Sequence, residues 1–281
     1  MTGGLTGRAM VAGVVGHPVA HSLSPRLHGA WIAAVGLDAA YVPFAPAETG
    51  FRVLVEGFRG GVVRGLNVTL PFKEEALRLT DRADAASKAA GAANLLLFHP
   101  DQSIEARNTD GIGLLAAFAE QAPDVDLTAG PVVVLGAGGA ARGAVAALAS
   151  AGAQELRIVN RSVDRASALA DAFGGRAYSL GQAAQAFDGA TAIINSTSAG
   201  LGDNPAVLWP LEAAPRSTAV MDMVYKPLNT RLLDLARQRG MPTVDGLAML
   251  IGQARPSFEA FYGQPPPEEV DVRALLLEAM G

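Results

Sequence analysis

The sequence predicts an α/β protein made of two α/β units, each with a mostly parallel sheet. Three observations carry this. Short β-branched runs alternate along the chain with alanine-rich segments of helical period, the pattern of βαβ units. Residues 132–135 (Val-Val-Val-Leu) pass directly into a glycine turn and an alanine-rich segment, which opens a second α/β set. The length of 281 residues accommodates two modest domains.

In chain order, Met10–Val15, 40–44 and 66–69 read as strands, short runs that contain β-branched or aromatic residues. Residues 25–35 read as a helix with Pro25 at its first position and Ser24 as its cap. Helical period also marks 48–58, 74–79 and 83–90. Two short strands follow, Leu95–Phe98 and Ile104–Arg107. A junction is expected near residues 108–125. Beyond it come a strand at 132–135, a helix at 140–151, a strand at 156–159 and a helix at Val163–Phe173. Strands at Ala192–Asn195 and 219–223 follow, with helices at 228–239, 247–261 and 273–280.

Half of the residues are hydrophobic and 17% charged, which excludes an intrinsically disordered chain. There are no cysteines, so disulfides, thiolate zinc sites and cysteine nucleophiles are excluded. The net charge of −5 and the lack of a Lys/Arg cluster argue against nucleic acid or an anionic membrane as the main partner. No apolar run approaches the ~20 residues that span a bilayer. The apolar start stops at Gly16-His17-Pro18, with no signal-peptide pattern, so a cytoplasmic protein is expected.

Gly136-Ala137-Gly138-Gly139-Ala140-Ala141 matches G-x-G-x-x-G/A in the context of strand, turn and helix. Gly136 permits the tight turn, Gly138 removes a Cβ that would block a pyrophosphate, and Ala141 lets helix and strand pack closely. Free N–H groups at the helix start favour phosphate charge. This points to a Rossmann-type dinucleotide-binding unit; the alternative is a glycine turn serving packing alone. The next strand ends in Asn160-Arg161-Ser162, with Arg165 one turn on and no carboxylate for a ribose 2′-OH. Two guanidiniums and a hydroxyl suit a 2′-phosphate, hence NADP. The alternative is an N-cap serine beside two solvated arginines.

The first unit carries a polar constellation. Ser22 and Ser24 precede a helix start and suit a carboxylate, although capping alone explains Ser24. Asn67 and Thr69 share one face of an extended segment, and Pro71 ends the strand, leaving Lys73 on its rim; by itself Lys73 also reads as a surface lysine. Asn94 and Asp110 each lie next to a predicted strand end. Asp110 either caps the following helix or, near Lys73, orients its ammonium. His17, His21 and His28 match no metal-ligand spacing and read as turn or helix-surface residues; no metal is expected.

Together these motifs resemble the shikimate dehydrogenase family over nearly the whole chain, in the family's order. Besides the segments above, the resemblance rests on Gly91-Ala-Ala-Asn94, Asn108-Thr-Asp110-Gly111, Asn195-Ser-Thr-Ser-Ala-Gly200, Asp222-Met-Val-Tyr225-Lys-Pro227 and Gly246-Leu-Ala-Met249-Leu-Ile-Gly-Gln253. It implies a substrate domain at 1–107, an NADP-binding Rossmann domain at 108–245 and carboxyl-terminal helices at 246–281 returning to the first, with the active site in the cleft between domains. The implied reaction is reversible NADP-dependent reduction of 3-dehydroshikimate to shikimate, in chorismate and aromatic amino acid biosynthesis. The resemblance makes Lys73 and Asp110 the catalytic pair and puts Ser22, Ser24, Asn67, Thr69, Asn94, Tyr225 and Gln253 around the substrate. Ser196, Thr197, Met223, Gly246 and Met249 join Gly136 to Ala140, Asn160, Arg161, Ser162 and Arg165 at the cofactor. The chemistry suits these types: oxidising a secondary alcohol sends a hydride to the cofactor and a proton to a base, here Lys73.

Phe72, Leu95, Arg255 and Tyr262 depart from the common family pattern without removing a catalytic group. Two alternatives remain: a quinate/shikimate dehydrogenase of broader substrate or NAD use, and a non-catalytic dinucleotide-binding sensor. Retention of Ser24 argues against the first, and retention of Lys73 and Asp110 against the second. The small-molecule substrate is the expected partner, with the chain acting as a monomer or homodimer.

Overall fold

The computed structural model describes residues 4–60, 63–197, 199 and 207–280. The chain divides into two compact units: the chain up to Asp110 with the stretch from Gln253 onwards, and Gly111–Gly252.

The first unit holds β1 (Met10–Val15), α1 (Ser24–Ala34), β2 (Ala39–Phe44), α2 (Phe51–Gly57), β3 (Val63–Val68), α3 (Lys73–Arg78), β4 (Arg82–Ala83), α4 (Ala85–Ala90), β5 (Leu95–Phe98) and β6 (Ile104–Arg107). Its six-stranded sheet has the order β2-β1-β3-β5-β6-β4. Pairing is parallel except around β5, which runs antiparallel to both β3 and β6. On one face Leu66 and Val68 join Phe51, Phe72 and Leu96 in an apolar core. The residues that alternate with them, Gly65 and Asn67, face the other way, as the period of two requires. A Cβ on Gly65 would lie 2.5 Å from the Phe261 ring, so glycine there lets that ring lie against the strand.

The second unit begins with α5 (Asp110–Gln121, all but its first residue) and continues with β7 (Pro131–Leu135), α6 (Gly139–Ser150), β8 (Glu155–Val159), α7 (Val163–Phe173), β9 (Arg176–Tyr178), α8 (Ala183–Phe187), β10 (Ala192–Asn195), β11 (Ala219–Asp222), α9 (Arg231–Gln238) and β12 (Thr243–Val244). Its sheet is wholly parallel, in the order β12-β11-β10-β7-β8-β9, the Rossmann arrangement. Val132, Val134, Ile194 and Met221 pack on one face, Val133, Leu135, Ile193 and Val220 on the other. Burial on both faces is why these strands read as continuous apolar runs. Two helices close the chain, α10 (Gly246–Tyr262), within which the unit boundary falls, and α11 (Val272–Met280).

Several expected elements change. The junction expected at 108–125 contains α5, whose Leu114, Ala117 and Phe118 are core residues. Residues 48–50 form a 3-10 turn ahead of α2. The expected helix at 83–90 starts at Ala85, because the Asp84 carboxylate accepts the Ser87 N–H at 2.7 Å and Arg82–Ala83 pairs with β6. The helix expected from 228 starts at Arg231, capped by Thr230. β3 stops before Thr69, and β9, α8 and β12 are too short to show a period.

Candidate active site and nucleotide turn

β5 reverses direction between two strands that run alike. The carboxyl ends of β3 and β6 and the amino end of β5 therefore share one edge of the sheet, with Asn67 opposite Leu95 and Leu95 opposite Arg107. Lys73, Asn94 and Asp110 lie just beyond those ends. Backbone bonds fix the loops: Val68 N–H donates to Asn94 O, Ala93 N–H to Lys73 O and Asn94 N–H to Arg107 O.

At this edge Lys73 Nζ donates to Asp110 Oδ2 at 2.6 Å. Asn94 Nδ2 donates to Asp110 Oδ1 at 2.9 Å and lies 3.3 Å from Gln253 Oε1. Asn94 is buried and its own oxygen accepts the Thr109 N–H at 2.8 Å. Asp110 is not a helix cap: both its oxygens point to Lys73 and Asn94, while Asn108 Oδ1 accepts the Asp110 N–H at 3.0 Å. Lys73 is not a free surface lysine. Its side chain is 26% exposed and that of Asp110 13%, so the pair opens to solvent on the lysine side. An ammonium has three donors, and only one is committed to Asp110 among the described residues. The group is thus set up to hold a ligand hydroxyl and exchange a proton with it.

Ser24 does not cap α1. The helix starts at Ser24 with no side-chain cap, and Ser22 Oγ instead accepts the Ser24 N–H at 3.3 Å. Asn67 is half-buried and tied to Tyr41 and Ser257, and Thr69 is half-buried beyond the end of β3. The expectation for His28 needs correction. His17 and His21 are exposed, but His28 is fully buried in an aromatic cluster, its ring stacked on Tyr41 at 4.0 Å. Burial lowers its pKa to about 3. Tyr41 and Ser257 were missed by sequence reasoning. Ser257 follows Gln253 at i+4 and so shares its helix face, a spacing that marks it.

In the second unit, Gly136 ends β7 with φ +109°, and a Cβ there would meet Ser196 Oγ at 2.8 Å. Gly138 precedes α6, and nothing lies within 4 Å of where its Cβ would be. Gly138, Gly139 and Ala140 are exposed and Ala137 half-buried, whereas Ala141 is fully buried in the core. An open cradle therefore faces the first turn of a 12-residue helix, as a pyrophosphate requires. Ser162 does cap α7, accepting the Arg165 N–H at 3.5 Å, and Asn160 Nδ2 donates to Ser162 O. Arg161 and Arg165 are exposed, and neither guanidinium has a partner among the described residues. These features fit an NADP 2′-phosphate.

Ser196 Oγ donates to Leu135 O at 2.6 Å, and Thr197 Oγ1 to Asn195 Oδ1 at 2.7 Å. Ser198 and Gly200 of the resembling segment lie outside the described residues. Asp222 is buried and binds three segments, accepting from Asn195 Nδ2, Val224 N–H and Thr230 Oγ1; burial raises its pKa. Met223 and Tyr225 follow it, half-buried. Gly246 and Met249 are buried: a Cβ on Gly246 would lie 2.4 Å from Met223 O, and Met249 belongs to the core. Both residues also pack closely against their neighbours.

The family model for the shikimate dehydrogenase substrate binding domain matches residues 14–96, and that for shikimate / quinate 5-dehydrogenase matches residues 117–202. A shikimate dehydrogenase (NADP(+)) of Caulobacter vibrioides is 56% identical over 100% of this chain and 99% of its own length. The chain belongs to the shikimate dehydrogenase family. Among solved shikimate dehydrogenases, the Thermus thermophilus enzyme in complex with NADP(H) and shikimate is 36% identical, with TM-score 0.82 over 92% of this chain and 95% of that one. Quinate dehydrogenase of Corynebacterium glutamicum in complex with NAD is also similar, at 27% identity and TM-score 0.86, covering 96% and 99% of the two chains. The two matched segments fall one in each compact unit, and Lys73 lies in the first.

Proposed function

We propose that this chain catalyses the reversible NADP-dependent reduction of 3-dehydroshikimate to shikimate, an oxidoreductase reaction at a CH–OH group. The observation that supports it most is the Lys73–Asp110 contact of 2.6 Å, buttressed by Asn94 and lying next to Gln253. In this reading the unit carrying Lys73 takes the substrate, with Ser22 and Ser24 toward its carboxylate and Asn67, Thr69, Asn94 and Gln253 toward its hydroxyls. The other unit takes NADP, with the phosphates on Gly136 to Ala140, the 2′-phosphate on Asn160 to Ser162 and Arg165, and Ser196, Thr197 and Met223 flanking it. Bound NADP supplies the hydride acceptor for alcohol oxidation and NADPH the donor for ketone reduction.

Lys73 is the proton handler. During oxidation the free amine accepts the hydroxyl proton; during reduction the ammonium stabilises the forming alkoxide and returns that proton. Asp110 holds the amine in place and can accept a hydrogen bond from a neighbouring hydroxyl of the substrate. Asn94 keeps the carboxylate from rotating away. The chain acts in the cytoplasm, as a monomer or homodimer.

The test is NADPH formation from shikimate and NADP⁺, with quinate and NAD⁺ as parallel arms. Turnover favouring shikimate and NADP⁺ supports the proposal. Comparable turnover of quinate or preference for NAD⁺ moves the chain to the broader branch, and cofactor binding without turnover on either substrate identifies a sensor.

A further inference from the structure

Behind the proposed substrate groups lies a second layer that the reaction itself does not use. Tyr41 projects from β2 into the first unit, 7% exposed, with its ring flat on that of His28 (4.0 Å, interplanar angle 1°) and tilted against Phe261. Its hydroxyl donates to Asn67 Oδ1 at 2.7 Å. On the other side, Asn67 Nδ2 donates to Ser257 Oγ at 2.9 Å and approaches Asn94 O at 3.4 Å.

The orientation of the Asn67 amide follows from its partners. Asn94 O is a carbonyl and can only accept. Ser257 has one hydroxyl proton, which it gives to Gln253 O at 3.2 Å, so toward Asn67 it also accepts. Both acceptors need the NH₂ side of Asn67, which turns Oδ1 toward Tyr41, and Tyr41 must then be the donor. Its phenol stays protonated at every working pH, since burial holds its pKa well above the ordinary value. Both Nδ2 protons are directed at protein acceptors, whereas Oδ1 keeps one lone pair free.

We propose that Tyr41 is a positioning residue that locks the Asn67 amide, with Ser257 as its counterpart, so that Asn67 presents an acceptor to a substrate hydroxyl. The inference rests on the proposed function for the identity of that substrate. His28 keeps the phenol in place from beneath: its ring is fully buried and offers Tyr41 a flat apolar face.

Tyr41→Phe keeps the ring and its stacking and removes the hydroxyl, which donates to Asn67 and is also hydrogen-bonded by Ser24, so the Asn67 signal is the readout specific to the lock. Two readouts test it. In the free protein, the Asn67 side-chain amide signal, assigned by its loss in Asn67→Asp, should shift in Tyr41→Phe and exchange with solvent about tenfold faster. In kinetics, KM for shikimate should rise about five- to tenfold while kcat and KM for NADP⁺ stay within twofold, a split that general loosening of the fold would not produce. Ser257→Ala should loosen the same amide signal, which provides a second variant should Tyr41→Phe fold poorly. An unchanged Asn67 signal in both variants, or loss of kcat with KM unchanged, overturns the proposal. If the unaltered enzyme does not oxidise shikimate, the functional reading fails, and the amide signal alone still decides whether Tyr41 locks Asn67.

Discussion

Replacing Lys73 by Met removes the ammonium and keeps most of the aliphatic stem. Acid–base groups of this kind contribute about 10²–10⁴-fold to rate, so kcat should fall by that factor, about 2.7–5.5 kcal/mol in the barrier. KM for shikimate should move much less, because Asn67, Thr69, Asn94 and Gln253 remain. Stability bounds the side effects. The pair is partly exposed on the lysine side, and without Lys73 the Asp110 carboxylate still accepts from Asn94 at 2.9 Å. The cost of removal is then about 1–2 kcal/mol, a few degrees in Tm. Asp110→Asn should cost a comparable factor, and the double variant no more than the worse single one, since both act on one proton path. The assay is initial-rate NADPH formation over a range of shikimate concentrations, with Tm measured in parallel. A Lys73→Met enzyme with kcat within tenfold of the unaltered one, or fully additive losses in the double variant, would refute Lys73 as the proton handler.

Two glycines should part company. Gly136→Ala forces a side chain into φ +109° and against Ser196 and should destabilise by about 2–4 kcal/mol in denaturant titration. At Gly138 an added Cβ meets nothing, so in Gly138→Ala stability should change by less than about 0.5 kcal/mol while NADP⁺ affinity, read by calorimetry, drops more than tenfold. Arg161→Ala with Arg165→Ala should raise KM for NADP⁺ by about ten- to a hundredfold and leave KM for NAD⁺ nearly unchanged; an equal rise for both cofactors would remove these arginines from the 2′-phosphate. His28 has a folded pKa of about 3 against 6.5 unfolded. The unfolded chain therefore binds more protons between those values, and stability present above pH 6.5 is lost as pH falls. At pH 5 the loss is about 2 kcal/mol, and His28→Phe should abolish that part of the slope.

The second unit was largely legible because local rules govern it. Val132–Leu135 and Ala192–Asn195 are buried on both faces, so they read as strands without reference to neighbours. Gly136 to Ala141 carry their own turn, cradle and packing contact. Errors arose where a distant partner decides. Asp110 was ambiguous because its choice between cap and ion pair depends on Lys73, 37 residues away. Ser24 carried the local signs of a cap, but the chain enters α1 already helical at Leu23, so no capping geometry arises. His28 lies on the apolar face that Trp31 and Ile32 mark at i+3 and i+4, whereas Tyr41 and Phe258, which complete its enclosure, come from distant segments.

The step that no local pattern contains is the reversal of β5. Were all strands of the first sheet parallel, Asn94, which precedes its strand, would sit at the edge opposite Lys73 and Asp110. Each strand here is 4–6 residues long, about 13–20 Å at 3.3 Å per residue, too far for an amide to reach a carboxylate. A single antiparallel strand removes that distance. It brings the residue before β5 to the same edge as the residues after β3 and β6, and it does so through backbone pairing alone. The Lys73–Asp110 pair thus owes its 2.6 Å contact to two helix-start residues and its rigidity to Asn94 just before the reversed strand. Sequence motifs name these three residues, but only the order β3-β5-β6 makes them neighbours.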